Sequence, residues 1–160
     1  MSELATVEVK GLRELNEALR LLPDRIAKNV LRGACGAGAA IIRKEAVARA
    51  PVYTGDVTKG HPPPGTLKRA IYMKQIRERS GVTKQTFYVG VRSGKKQRDK
   101  KGRTLDAYYW SWVEFGTAKM RARPFLRPAF EAAKNRAVER IKQYLAERIP
   151  REAEKLARRA

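Results

Sequence analysis

The spacing of apolar positions changes several times along the 160-residue chain. "TVEVKG" alternates apolar and polar residues and ends at Gly11, which predicts a short edge strand. "LRELNEALRLLP" then sets Leu12, Leu15, Leu19 and Leu22 at helical spacing before Pro23 stops the run. Asp24 suits the N-cap of a longer helix, "RIAKNVLRGACGAGAAIIRKEAVARA", in which Ile26, Val30, Ala34, Ala37 and Ile41 form one apolar stripe. Gly33, Gly36 and Gly38 inside it cost about 1 kcal/mol each relative to Ala. Their bareness predicts a close helix crossing. They are not a phosphate loop, because no strand precedes them and no Gly-Lys-Ser/Thr follows.

"PVYTGDVTKGHPPPG" has four prolines and three glycines in fifteen residues and reads as a loop. Two strands are predicted after it, over Leu67–Arg77 and Thr86–Val91, joined as a hairpin through "ERSGVTK". "RSGKKQRDKKGR", Arg92 to Arg103, has seven basic residues and one acid, too polar for any core, and predicts a solvated mobile loop. The last helix is expected to start near Pro128, with Phe130, Ala133, Ala137, Ile141, Tyr144 and Leu145 on its apolar side. Pro150 should interrupt it and leave 150–160 as a loose basic tail. The fold class is therefore α+β. A small antiparallel sheet of about three to four strands packs on two long helices, with an N-terminal strand-helix and a C-terminal helix. Residues 1–149 form one domain, with loops at 52–66 and 92–103.

Charge changes the picture more than composition does. Thirty-six Lys and Arg against sixteen Asp and Glu give +20, and residues 51–122 alone hold 16 basic and 5 acidic side chains. Such a field favours polyanions or acidic protein surfaces and repels free copies of the same chain. The single Cys35 excludes an intrachain disulfide, and with only His61 beside it no zinc ligand set is visible. No apolar run approaches the roughly 20 residues of a membrane span. A soluble protein made in the cytoplasm, with no metal or other cofactor, is the expectation.

Groups with catalytic chemistry are Cys35, His61, Asp106, Glu114, Thr54, Thr66 and Thr117, and they form no recognisable nucleophile, base and orienter set. The basic loop is the best candidate for phosphate contact through Arg92, Lys95, Lys96, Arg98, Lys100, Lys101 and Arg103; such contact would be salt-dependent and blind to sequence. "YYWSWVEF" packs five aromatics into eight residues, with Tyr108, Trp112 and Phe115 on one helical face and Tyr109, Trp110 and Val113 elsewhere. Either all five aromatics close the core, or part of the segment faces a partner protein, where Trp and Tyr are favoured.

Landmarks of this chain resemble the neck and tail-completion proteins of long-tailed bacteriophages, the group named after gene product ten of a lambdoid coliphage. They are "VKGLRELNEALRLLP" (9–23), "APVYTG" (50–55), "GTLKRAI" (65–71), "YYWSWVEFGT" (108–117) and "RPFLRPAFE" (123–131). The resemblance spans roughly residues 7–145; the "DVTKGHPPP" insert and the basic loop depart from it. It implies a non-enzymatic α+β virion protein at the head–tail junction. Its partners would be copies of itself and neighbouring head-closure, tail-terminator or tail-tube proteins, with sequence-nonspecific contact to channel DNA as a further option. Pro51, Thr54, Gly55, Leu67 and Ala129 match as structural positions. Tyr108, Tyr109, Trp110, Trp112, Glu114, Phe115, Gly116, Thr117, Pro124, Phe125, Leu126, Arg127 and Pro128 are the assembly candidates. Glu114 is expected to bond backbone amides or an Arg, Arg123 or Arg127, of its own turn. The rival reading, carried by charge alone, is a basic nucleic-acid-binding protein without sequence preference.

Overall fold

The structure is a computed structural model that describes residues 12–54, 62–94 and 106–158. Two long helices carry it. They are α2 (Asp24–Arg49) and α5 (Leu126–Ala157), and they run antiparallel, as Gly33 meets Tyr144 while Gly38 meets Ile141 and Ala137. Around them lie α1 (Leu12–Arg20), the single turn α3 (Thr66–Ala70), β1 (Ile71–Gln75), β2 (Phe87–Val91) and α4 (Trp110–Phe115).

Small residues let the two long helices touch. A Cβ placed on Gly38 would stand 2.7 Å from the Ile141 side chain and 3.1 Å from the Ala137 carbonyl oxygen. One on Gly33 would enter the Tyr144 ring. Ala34 on α2 and Ala129, Ala133 and Ala137 on α5 are buried along the same seam. The close crossing expected from the glycines is therefore present, and α5 is the partner. The buried face of α2 is Ala27, Val30, Ala34, Gly38, Ala39 and Ala46, which is rotated from the predicted stripe at its C-terminal half. The reason is that the smallest side chains, not the largest, meet α5, and Ile41 is left only half-buried.

Two apolar clusters sit at the two ends of this seam. Leu19 of α1 and Leu22 just after it join Ala27, Val30, Leu145 and Ile149 at one end. At the other, Phe125 just before α5 and Ala129 within it gather Ala46, Ala50, Leu67, Ile71, Val91 and Ala107. Across the surface, Glu45 receives Arg49 Nε at 2.8 Å and Arg136 Nη2 at 2.6 Å, and these hydrogen bonds hold its carboxyl below the usual range. The Arg43 guanidinium donates to the Ile71 carbonyl at 3.1 Å and ties α2 to the first residue of β1.

The sheet is smaller than the sequence suggested. Among the described residues it has two strands, paired antiparallel with Ile71 opposite Val91 and Gln75 opposite Phe87. The hairpin is as expected, but Thr66–Ala70 is helical: Gly65 takes φ 77° before it and the Thr66 hydroxyl donates to the Pro63 carbonyl at 2.7 Å. The expected N-terminal strand lies outside the described residues. Asp24 is the first helical residue and not a side-chain cap. The last helix begins at Leu126, two residues before Pro128, and runs through Pro150 to Ala157. Ile149, buried, and Leu156, half-buried, hold both sides of that proline on the α1–α2 cluster, which outweighs the missing backbone donor.

Gly38→Val is predicted to lower stability by about 1–3 kcal/mol through overpacking at the crossing, whereas Gly81→Ala, which meets nothing within 4 Å, is predicted to be near neutral. Thermal melting of the two variants checks this; equal melting points would contradict the close crossing.

Candidate functional site

The segment Ala107–Arg127 turns α4 into α5, and one carboxylate organises the turn. Glu114 is 7% exposed. Its Oε2 accepts the amide of Phe125 at 2.7 Å and that of Leu126 at 3.0 Å, while Oε1 accepts the amide of Arg127 at 3.2 Å. The first amides of a helix have no partner inside it and carry the positive end of the helix dipole. Phe125, at the cap position, supplies no side-chain bond of its own. Glu114 thus performs the capping from eleven or more residues upstream. Of the two roles open from the sequence, backbone amides or an arginine, the amides are filled.

The chain between the two helices is fixed by backbone. Gly116 takes φ 77° and ψ 180°, a region essentially reserved for glycine. A Cβ there would lie 2.9 Å from the Ala122 nitrogen and 3.0 Å from the Met120 oxygen. Thr117 and Met120 then close a tight bridge, with amide-to-carbonyl distances of 2.9 and 3.2 Å, and the Arg123 amide returns to the Val113 carbonyl at 2.8 Å. The Thr117 hydroxyl accepts the Lys119 amide at 3.3 Å. Phe125 is fully buried and Leu126 half-buried, while Pro124 is exposed and Pro128 half-buried.

This elbow sorts the aromatics. Tyr109, Trp110 and Val113 pack against the cluster of Phe125, Leu67 and Ala50. Burial pushes the Tyr109 phenol up, partly offset by a backbone hydrogen bond at Leu67. Tyr108, Trp112 and Phe115 face outward, exposed by 44%, 50% and 70%. Tyr108 stands edge-on to Trp112 at 5.7 Å between ring centres, and Phe115 lies tilted to Trp110 at 6.5 Å. The reading in which all five close the core is thereby excluded for this fold. Met120, which the sequence reading passed over, is also exposed, and its signal was only a lone apolar residue inside "AKMRAR". Lys119, Arg121, Arg123 and Arg127 are exposed around the elbow, whose one acid, Glu114, is already occupied.

The other candidates do not converge on this surface. Arg92 is exposed, its guanidinium 5.2 Å above the Tyr72 ring, and its amide donates to the Ala70 carbonyl at 2.9 Å. Asp106 accepts the Gly94 amide at 2.9 and 3.0 Å and so closes the foot of the basic segment. Lys95, Lys96, Arg98, Lys100, Lys101 and Arg103 lie outside the described residues, as do Gly55 and His61. Thr54 is exposed, and Cys35 is half-buried on α2, with burial pushing its thiol up. No cluster of three His, Cys, Asp or Glu able to hold a metal occurs among the described residues. No described helix is long and apolar enough to cross a membrane.

Glu114→Ala leaves three amides without their acceptor, and a loss of about 1–3 kcal/mol is predicted. Gly116→Ala is predicted to destabilise as well, by forcing a side chain into a strained conformation against backbone atoms. Denaturant unfolding of both checks this; a wild-type midpoint for Glu114→Ala would remove the carboxylate from the elbow.

Neither a curated protein nor a solved structure matches the chain. A family model does, over residues 13–116, and its description reads "Bacteriophage HK97-gp10, putative tail-component". The matched stretch runs from α1 to Gly116 and so includes the seam glycines, the hairpin, the aromatic helix and Glu114. The chain belongs to this HK97-gp10-like family of bacteriophage tail components.

Proposed function

We propose that this tail component is a non-enzymatic structural subunit of the head–tail junction of a long-tailed phage or prophage, working in head–tail joining or tail completion. The observation that carries this reading is the stripe Tyr108–Trp112–Phe115, held outward on an elbow whose only acid is consumed in capping α5. Exposed aromatic surface of this kind favours a protein partner. Rigid backing lowers the entropy lost when it is covered. Joining a capsid vertex to a tail tube calls for cyclic symmetry, so the subunit acts in a closed homo-oligomeric ring or bound to one. Its partners are copies of itself and the neighbouring head-closure, tail-terminator or tail-tube proteins. The assembly residues are Tyr108, Trp112 and Phe115, with Lys119, Arg121 and Arg127 at the rim, while Glu114, Gly116, Pro124 and Phe125 hold the elbow in place.

The charge of +20 supports a role for Arg92–Arg103 toward channel DNA or an acidic neighbouring ring. The same charge favours a second reading, a sequence-nonspecific nucleic-acid-binding protein with no ring. Solution mass by light scattering at low and high salt, with images of large species, separates the two. Rings that strengthen as salt screens the self-repulsion are predicted. A monomer at every salt that binds duplex DNA tightly would favour the second reading.

Replacing Lys95, Lys96, Arg98, Lys100 and Lys101 by Ser is predicted to weaken head–tail joining in vitro and to flatten its salt dependence. If DNA is the partner, the log–log slope falls by about 0.9 for each phosphate that is no longer neutralised. Joining that is unchanged across salt would remove the loop from the mechanism.

A further inference from the structure

The outward stripe has a counterpart elsewhere on the chain. A groove of about 560 Å³ opens between α1 and the α2–α5 seam, lined by Leu15, Leu19, Leu31, Val138, Ile141 and Leu145. That volume falls within the roughly 300–1,000 Å³ of pockets that take a drug-sized apolar group. The stripe and the groove belong to different ends of the molecule. Trp110, beside the stripe, packs with Ala46 and Ala50, whereas Leu31 lines the groove. Leu31 and Ala46 are fifteen residues apart on α2, roughly 22 Å at the rise of an α-helix. One chain's stripe therefore reaches a groove only on another chain.

Charge favours that arrangement over a stripe facing a stripe. The elbow presents Lys119, Arg121, Arg123 and Arg127 with no exposed acid, so two elbows brought together repel. The lip of the groove is α1, where Glu14 and Glu17 balance Arg13 and Arg20, a neutral strip on a chain of +20. Arg13 meets Glu17 there at 3.4 Å in an exposed pair that costs little to exchange. A cationic elbow is thus opposed less by α1 than by a second elbow, although Arg13 itself lines the groove.

We propose that Trp112 and Phe115 of one copy dock in the Leu15–Leu31–Leu145 groove of the next, with the elbow cations against Glu14 and Glu17. The contact joins two different patches, so it is heterologous and propagates head to tail until a ring closes. It rests on the reading of the protein as a self-assembling ring and names the two surfaces that reading leaves open.

The test uses full-length protein carrying Asn16→Cys and Ala118→Cys in a Cys35→Ser background, since Asn16 lines the groove, Ala118 follows the stripe on the elbow without being a docking residue, and both new thiols replace exposed residues. After assembly at high salt, a short bis-maleimide is predicted to give a covalent ladder of dimers, trimers and higher species in the double variant, with no ladder from either single variant. Dimers from Ala118→Cys alone would mean stripe facing stripe and would overturn the docking. Rings seen by light scattering but without a ladder would overturn the docking and leave ring formation standing. A monomer at every salt would overturn both.

Discussion

A buried carboxylate bonded to the first amides of a long helix sets the geometry on which the rest of the proposed site depends. Glu114 ends α4 and starts α5, so the two helices cannot be turned independently. Because α5 is locked to α2 by small residues along its length, the direction given at Phe125 is carried into the whole bundle. In the other direction, the same bond fixes the roll of α4. Trp110 must then face the core and Trp112 must face out. A folding requirement and an exposed aromatic surface thus share one interaction.

The two ends of the helix pair differ in kind. Near Phe125, the loops, the hairpin and α4 wrap the seam and leave aromatics outside. Near Ile149, among the described residues, α1 and Val82 cover it incompletely, which leaves an apolar groove at the edge. In the proposed docking each of these surfaces meets the other on a neighbouring copy. In a strongly cationic chain they also have unequal electrostatic costs of approach, and salt reduces both.

Much of this was legible in the sequence. The glycines of α2 announced a close crossing because nothing but close approach repays their cost in a helix. For the acid-Phe-Gly-Thr turn the sequence left two partners open to Glu114, backbone amides or an arginine, and the structure fills the first. Other features were out of reach of local pattern. Helical spacing separated Trp112 from Trp110 but could not say which face would be covered, because that is decided by Phe125 and Leu67, far along the chain. Residues 67–70 look strand-like in composition, yet Gly65 in the left-handed region and the Thr66 hydroxyl bond draw them into a helical turn. Pro150 reads as a breaker only when the burial of Ile149 and Leu156 on either side of it is unknown.

Amide hydrogen exchange at Phe125, Leu126 and Arg127 in the full-length protein addresses the centre of this account most directly. These amides begin α5 and have no partner within the helix, so protection there reports the Glu114 carboxylate and little else. The account predicts that they exchange as slowly as amides one turn further into α5, and that Glu114→Gln speeds them selectively. Exchange at the rate of an open loop in the unaltered protein would contradict it, and with it the fixed presentation of Tyr108, Trp112 and Phe115.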